Sequence, residues 1–573
     1  MSQPADADAA GHTVGHAAAA GRRPVETTPE ALRRAATLWP DREAIADVQP
    51  GQDTRRTWSE LLDDVRTFAA GLLSRGVAAG DRVVIWAPNT HHWVVAALGV
   101  QYVGATVVPA NTRYTGSETL ELIQRTGATA AVVAGTFLGT ERIADLTAAA
   151  GGSLAGATDL ETLIRIPLEG GDSAEADVVV VDFPDLHALS TDTLLAEADA
   201  RADAVTGDDV ADILFTSGTT GKSKGVVALH RQTIAGAHAW GSNGELTETD
   251  RYLIVNPFFH SFGYKAGFLP CILFGVRIVP LSVYSTAETM RLIQSEKVTI
   301  LTGAPTIFQT LLDDPARGEY DLSSLRVAVT GASVVPVVLI ERMQSDLGLE
   351  TVITAYGQTE TMGFITTTRV GDDDVTVSTT CGRAYPGMEI RIGEHGEILA
   401  RGEMVMKGYL DDPENTAKAF TADGWLRTGD VGSVTSDGYL TVSDRSRDVI
   451  RSGGEWIYSA MLENLIMNAP EVVECAVIGY PDEKWGERPL AVTVLHEDIA
   501  QTKQTAEELR DQLRSSLPGW MLPEYWTFVR DIDKTSVGKF DKKDLRKHLA
   551  DGDFEIVKLK GPGEKDVPTA DER

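Results

Sequence analysis

From Thr27 onward the sequence alternates between two hydrophobic periods, and this alternation narrows the possible folds more than any other feature. Stretches such as Thr57–Gly76 (TWSELLDDVRTFAAGLLSRG) space their apolar residues as one face of a helix. Short β-branched runs such as Asp81–Ala87 (DRVVIWA) and Thr129–Gly135 (TAAVVAG) close at glycine or proline. The rhythm continues through RYLIVNPF, GVRIVPL, VTILTGAP and SLRVAVTGA. Strand, helix, strand in succession predicts βαβ units, hence an α/β fold with largely parallel sheets. Ligands of such sheets bind beyond the carboxyl ends of the strands, so the loops that leave these runs are where a site belongs.

A chain of 573 residues exceeds what one hydrophobic core supports. Between Ala149 and Gly207 the alternation weakens into acidic, small-residue sequence around DVVVVDF, which reads as a surface excursion. Its GGDS (Gly170–Ser173) superficially resembles the serine motif of phosphopantetheine carriers, but no helical bundle pattern surrounds it and it reads as a loop. After about Asp444 the character changes to strand pairs (VVECAVIGY, RPLAVTVLH), an amphipathic helix at Thr505–Leu517, a strand (EYWTFVRDI) and a basic helix at Asp541–Leu549. That is an α+β unit of ordinary domain size. The expected division is a disordered tail at 1–26, a large domain of βαβ-type subdomains at 27–443, a small mobile domain at 444–553 and a second disordered tail at 554–573.

Charge and cysteine usage exclude several classes of function. With 83 acidic against 52 basic residues the net charge is -31, which opposes nucleic acid and anionic membranes. An anionic ligand would need local cations and backbone N–H donors. Cys271, Cys381 and Cys475 form no paired motif, so neither a disulfide framework nor a zinc site is expected, and a reducing cytoplasm fits. The opening MSQPADADAAGHTVGHAAAAGRRP has no apolar core of a signal peptide. Trp93–Ala110 is long enough to span a bilayer but carries Gln101, two glycines and Pro109, so a buried helix followed by a buried strand is expected and no integral membrane segment.

In Ile213–Gly225 (ILFTSGTTGKSKG) a strand end runs into hydroxyls, glycines and lysines, the composition of a backbone nest for phosphate. Gly218 and the Gly221-Lys222 pair stand two residues apart, whereas the Walker A loop requires four, so this is not a P-loop. The stretch Thr216–Gly225 resembles the signature phosphate loop of the adenylate-forming superfamily, which contains acyl-CoA synthetases, peptide adenylation domains and firefly luciferase. The superfamily's other signatures follow in its order over roughly residues 27–550.

The resemblance implies that Thr216, Ser217, Gly218, Thr219, Thr220, Gly221 and Lys222 hold the triphosphate of ATP, with Thr216 also on the metal. Gly331, Ala332 and Ser333 would lie against adenine, although the superfamily commonly has alanine where Ser333 stands. AYGQTE would supply Ala355, Tyr356 stacked on the base, Gly357, Gln358, Thr359, and Glu360 as the magnesium ligand. Asp430 of Thr428-Gly429-Asp430 would accept the ribose hydroxyls. DRSRD (Asp444–Asp448) is similar to the hinge, with Arg445 reaching the ribose and Arg447 where lysine or aspartate is usual. Lys539 would bridge substrate carboxylate and ATP, and His260 in NPFFHSFGY would border the acyl tunnel. After the small domain rotates, Arg451-Ser452-Gly453-Gly454-Glu455, with Trp456, would line the pantetheine tunnel of coenzyme A. Read alone, each segment is ordinary: a flexible turn, an exposed charge, a packed histidine.

The implied reaction is ATP- and Mg2+-dependent activation of a carboxylic acid, first to acyl-AMP and then to acyl-CoA. WAPNTHHWVVAALG, NTRYTG and VNPFFHSFGYKAG resemble bacterial fatty-acyl-CoA synthetases, including those acting on propanoate side chains of degraded sterol rings. SGGEWIYSAMLE and DEKWGERPL resemble medium-chain ligases. A fatty acid is therefore the expected substrate, with a sterol-ring-derived propanoate or an aromatic acid as the alternative. A carrier-protein acceptor, an oxidative light-emitting relative and a non-catalytic nucleotide-binding homologue stay open, and a homodimer is compatible.

Overall fold

Parallel strands buried on both faces read as unbroken apolar runs, and the runs found by pattern are the strands of two mostly parallel sheets. The computed structural model describes residues 14–15, 25–170, 174–216, 223–331, 335–534 and 540–560. The chain divides into two units, one of residues 1–391, 399–428 and 434–440, the other of 392–398, 429–433 and 441–573.

In the first unit an eight-stranded sheet runs Val179–Asp182, Thr162–Ile166, Ala130–Ala134, Arg82–Trp86, Thr106–Pro109, Val210–Thr216, Lys224–Leu229, Gly408–Tyr409. Neighbours are parallel as far as Val210–Thr216 and antiparallel after it. A nine-stranded sheet runs Arg383–Ala384, Thr366–Thr367, Thr351–Tyr356, Val327–Gly331, Ile300–Gly303, Arg251–Ile254, Arg277–Pro280, Glu43–Asp47, Thr54–Thr57. Its six central strands are parallel. The helix Trp58–Ser74 begins in a capping box: Thr57 Oγ1 accepts from the Glu60 N–H while the Glu60 carboxylate accepts from the Thr57 N–H. The apolar stretch from Trp93 is divided between the helix His91–Tyr102 and the strand Thr106–Pro109, both buried.

The described residues of 149–207 are more ordered than a surface excursion, and Gly171, Asp172 and Ser173 of GGDS lie outside the described residues. Thr162–Ile166 and Val179–Asp182 extend the eight-stranded sheet at its edge, where Arg165 clasps Asp182 in a bidentate pair. The helix Asp192–Ala204 packs on Trp58–Ser74, with Asp199 accepting from Arg66 and from Tyr102 Oη. The acidic residues that masked the pattern are the ion-pair partners of these edges. Near the N-terminus, Val14–Gly15 pairs antiparallel with Glu389 and Ile390.

The two sheets are joined through polar groups. Asn89, just past the strand Arg82–Trp86, donates to the carbonyls of Ile254 and Asn256 and accepts from the Phe258 N–H at 2.7 Å. Gln49 spans Asp47, the Asn89 carbonyl and the Ser282 N–H. Asp47, with no solvent exposure, also accepts from the His91 N–H and faces His91 Nδ1 at 2.9 Å. Among the described residues no helix is long and apolar enough to cross a membrane.

The second unit is built on the long hairpin Val472–Asp482 with Gly486–Leu495, extended by Ile450–Ser452, Tyr525–Phe528 and Val557–Lys558. Its amphipathic helix runs Lys503–Leu513, starting earlier than the pattern predicts because Thr502 caps it by accepting from the Thr505 N–H, and ending at Leu513 rather than Leu517. Arg488 is buried, pairs with Glu524 at 3.0 Å, and donates to Ser452 Oγ and to the carbonyls of Trp520 and Leu522. Removing one partner of a buried pair strands the other charge, which costs about 3–5 kcal/mol. Arg488→Leu is expected to destabilise the second unit by that amount in chemical denaturation, and a loss under about 1 kcal/mol would contradict the role of the pair.

Candidate active site

Four of the predicted site segments leave the carboxyl ends of parallel strands, as the topology requires. Val210–Thr216 leads into the phosphate loop, and the chain returns antiparallel in Lys224–Leu229 with Thr216 directly opposite Lys224. Ser217, Gly218, Thr219, Thr220, Gly221 and Lys222 lie outside the described residues. Arg125 holds the returning strand, donating to the carbonyl and hydroxyl of Ser223 while its guanidinium lies 4.8 Å from the Phe215 ring centroid. Gly225 has no room for a side chain, because a Cβ there would sit 3.0 Å from both Ile213 and Phe215.

Val327–Gly331 and Thr351–Tyr356 run side by side with Gly331 opposite Ala355, and a Cβ on Gly331 would come within 3.0 Å of the Ala355 carbonyl. Ala332 and Ser333 lie outside the described residues. The loop after Tyr356 is cinched by its own backbone. The Gln358 carbonyl accepts from the Thr361 and Gly363 N–H groups, and the Tyr356 carbonyl accepts from Ile365. Gly357 passes so close to Gly363 that a Cβ would fall 2.0 Å from its carbonyl oxygen. Thr359 and Glu360 form the short 3-10 turn at the tip. The Glu360 carbonyl accepts from the Met406 N–H, and its Oε1 accepts from Tyr409 Oη at 2.9 Å. Oε2 has no hydrogen bond among the described residues.

Two residues of this cluster are absent from the sequence-based site. Lys224 places its Nζ 4.9 Å from the Tyr409 ring centroid, and Tyr409 in turn orients Glu360. Burial, then the Glu360 carboxylate, pushes the Tyr409 hydroxyl well above its ordinary pKa, so it stays a donor. TSGTTGKSKG holds two lysines that its composition does not tell apart, and Lys224 is the one that the hairpin register sets opposite Thr216. No local signal marks Tyr409, in MKGYL.

The segment after Arg251–Ile254 carries His260, half-buried, whose Nδ1 accepts from the Phe262 N–H at 3.2 Å. A neutral ring so engaged bears its proton on Nε2. Behind it Trp93, Phe258, Tyr264 and Phe268 pack edge-on and stacked with centroids 5.2–5.7 Å apart. Gly363 faces Ser261, whose Oγ would lie 3.6 Å from a Cβ there, so the Glu360 loop and the His260 segment are neighbours.

In the second unit Asp430 is buried and its Oδ1 lies 3.2 Å from Arg445 Nε. The carboxylates of DRSRD are both engaged. Asp444 accepts from the Ser459 N–H and Oγ and from Ala460, and Asp448 accepts from Arg546 at 2.6 Å. Lys542 donates to Ser459 Oγ and lies 2.6 Å from Glu463, whose carboxyl burial pushes up. Lys539 lies outside the described residues, but the segment that holds it is closed at its base by pairing of Lys534 with Phe540 and by the Asp541 N–H on the Asp533 carbonyl. Gly453 and Gly454, with φ of 62° and 90°, make the two-residue turn between Ser452 and Glu455. A side chain on Gly453 would strike Trp485, whereas Gly454 has nothing within 4 Å. Trp456, next along, lies 5.8 Å from the His395 ring and 6.0 Å from Arg451.

Residues 32–410 match the AMP-binding enzyme family and 461–539 match the AMP-binding enzyme C-terminal domain. The chain is 51% identical over 520 residues to the 3-[(3aS,4S,7aS)-7a-methyl-1,5-dioxo-octahydro-1H-inden-4-yl]propanoyl:CoA ligase of Rhodococcus jostii (strain RHA1), covering 91% of this chain and 98% of the relative. To the ligase of the same description from Mycobacterium tuberculosis (strain ATCC 25618 / H37Rv) it is 44% identical over 91% of this chain and 99% of the relative. Among solved structures it is similar to o-succinylbenzoate coenzyme A synthetase from Bacillus subtilis in complex with ATP and magnesium ion, with a TM-score of 0.73 and 26% identity, covering 90% of this chain and 99% of that one.

Tyr409→Phe removes the one hydrogen bond on the Glu360 carboxylate among the described residues. A bond to a charged group is worth about 1.5–3 kcal/mol, so kcat for acid-dependent ATP–pyrophosphate exchange is expected to fall roughly 10- to 100-fold in a protein with an unaltered circular dichroism spectrum. Exchange equal to that of the parent would remove Tyr409 from the site.

Proposed function

This chain belongs to the AMP-binding enzyme family and is an AMP-forming CoA ligase, and we propose that its acid is a propanoate on a fused-ring, sterol-derived skeleton. The supporting observation is identity of 51% and 44%, over nearly the full length of each relative, to two ligases whose acid is a propanoate on a methylated dioxo-octahydroindene. Fatty acids are the second reading, favoured by the motifs SGGEWIYSAMLE and DEKWGERPL of the second unit. The three cysteines are free, which suits the reducing cytoplasm that we propose as its setting.

A carboxylate is a poor electrophile. The enzyme activates it by letting its oxygen attack the α-phosphorus of ATP, which breaks the bond to pyrophosphate. A thiol then attacks the acyl carbon and AMP leaves. Neither step needs a covalent nucleophile from the protein, so the work is positioning and charge stabilisation. In our reading the loop Thr216–Lys222 and Lys224 cradle the triphosphate, Gly331, Ala355 and Tyr356 bound the adenine, and Asp430 with Arg445 takes the ribose. The close approach at Gly331 fits a flat ring, since any side chain would fill the space beside the Ala355 carbonyl. Glu360, held on one oxygen by Tyr409 and without a hydrogen bond on the other among the described residues, fits a hard divalent cation, and Thr216 offers a hydroxyl beside the same hairpin. Magnesium there supplies charge neutralisation on the phosphates.

The half-reactions separate the proposed roles. Lys539→Ala is expected to lose pyrophosphate release by about 100-fold or more while still converting supplied acyl-adenylate to thioester, and equal loss in both would defeat the assignment. Gly454→Trp is expected to do the reverse. Gly454→Ala, carrying the same backbone strain without the bulk, separates tunnel blockage from local distortion.

The substrate proposal is tested by CoA-dependent pyrophosphate release across the bicyclic propanoate, octanoate, dodecanoate and benzoate. The bicyclic acid is expected to lead by at least about tenfold in kcat/KM. A fatty acid leading by the same margin would transfer the proposal to the second reading.

A further inference from the structure

We propose that Lys265, paired with Asp212, is a positioning residue for acyl-adenylate formation, tying together the phosphate-loop strand, the His260 segment and the Glu360 loop. Both side chains are buried, at 1% and 0% exposure, with Lys265 Nζ 2.8 Å from Asp212 Oδ1. Asp212 lies in the strand Val210–Thr216, four residues before Thr216. Lys265 lies in the turn Tyr264–Phe268, five residues after His260, and that turn is π-helical. A π-helical turn is a rare, poorly bonded arrangement found mostly at functional sites, and it persists only where its surroundings hold it. The third element arrives through Met362, two residues after Glu360, whose Sδ is 3.0 Å from Lys265 Nζ. Met362 is fully buried at a φ of 59°, a left-handed conformation unusual for a non-glycine residue. Thr233 completes the cluster, donating to Asp212 Oδ2 with its oxygen 3.8 Å from Met362 Sδ.

No other use of this pair is evident. It faces no solvent, and a buried ion pair is weak evidence of stability, since an apolar pair of similar volume often serves a fold equally well. Burial pushes the Asp212 carboxyl up and the Lys265 amine down, so solvation works against what their proximity favours. What the pair supplies is a fixed junction behind three segments that must act on one substrate. Its neighbour Tyr264 extends the junction through Gln101, which donates to the Tyr264 hydroxyl and to the Ala211 carbonyl of the same strand.

The inference rests on the adenylation reading and not on which acid is activated. The phosphate loop and the metal glutamate act on the triphosphate, which is present only until pyrophosphate leaves. A displaced junction should therefore damage the first half-reaction and spare the second, whereas a purely structural pair would damage both or neither.

The test uses Lys265→Met/Asp212→Leu, which exchanges the pair for apolar volume, and Lys265→Gln alone and with Asp212→Asn, which exchanges it for a neutral polar pair. Each is measured on the full-length enzyme with the acid that the parent turns over best, so that loss of the parent reading is seen separately in the parent. For the apolar double variant, kcat of ATP–pyrophosphate exchange is expected to fall at least about 30-fold, with thioester formation from supplied acyl-adenylate within about threefold of the parent and thermal unfolding still cooperative. Adding Asp212→Asn to Lys265→Gln is expected to recover at least about fivefold of the lost exchange. An apolar variant with near-parental exchange overturns the inference, as does equal loss in both half-reactions. If the apolar variant does not fold, the glutamine–asparagine pair decides by its recovery. Failure of all three variants to fold assigns the pair to stability and overturns the proposal.

Discussion

Everything at the carboxyl ends of the two sheets of the first unit depends on how those sheets are fastened, and the fastening is polar. Asn89 leaves one sheet and satisfies three backbone groups of the segment leaving the other, from Ile254 to Phe258. Apolar packing is non-directional and tolerates small slides of one layer over another. A side-chain amide bonded to three backbone groups does not, because each displaced bond would leave a buried carbonyl or N–H unpaired at about 1–3 kcal/mol. Gln49 and Asp47 carry the same logic to His91 and Ser282. Two layers joined this way present their loops at a fixed separation, which a reaction between two bound substrates requires.

The candidate site residues of each unit are mostly positioned by the backbone. Gly357, Gly363 and Gln358 close the loop that presents Glu360 through main-chain bonds, and Gly453 with Gly454 turns the hairpin of the second unit where both residues need positive φ. This explains how much of the site was legible in the sequence. Glycines, hydroxyls and strand ends are read locally, so TSGTTGKSKG reads from its own residues as a phosphate nest, whereas AYGQTE and SGGEW are singled out by their resemblance to the superfamily's signatures. The parallel sheets were legible locally as well: fully buried strands such as Ala130–Ala134 have no polar face to disguise them.

What escaped the sequence are contacts between residues far apart in the chain. Tyr409 meets Glu360 across 49 positions and Asn89 meets Asn256 across 167, and no local period encodes either. Composition does not distinguish Lys224 from Lys222 in one loop, and it is the register of the hairpin that sets Lys224 opposite Thr216. The region 149–207 misled for a different reason. Its carboxylates Asp182 and Asp199 look like solvated surface until Arg165, Arg66 and Tyr102 are seen against them.

The second unit shows the same economy of commitment. In DRSRD the two carboxylates face inward on the unit, Asp444 capping the helix Ser459–Met467 and Asp448 held by Arg546 of the helix Lys542–Asp551. Through Ser459, Asp444 also meets Lys542, three residues beyond Lys539, and Lys542 is neutralised by buried Glu463. The carboxylates are thereby spent on fixing the segment, while Arg447 is exposed and Arg445 lies against Asp430. In a chain with a net charge of -31, an anionic ligand is attracted only where carboxylates have been withdrawn into internal pairs. Asp430 is a buried carboxylate accompanied by Arg445 at 3.2 Å, and under the proposed ribose-binding role that cation would offset its repulsion of a nucleotide's phosphate.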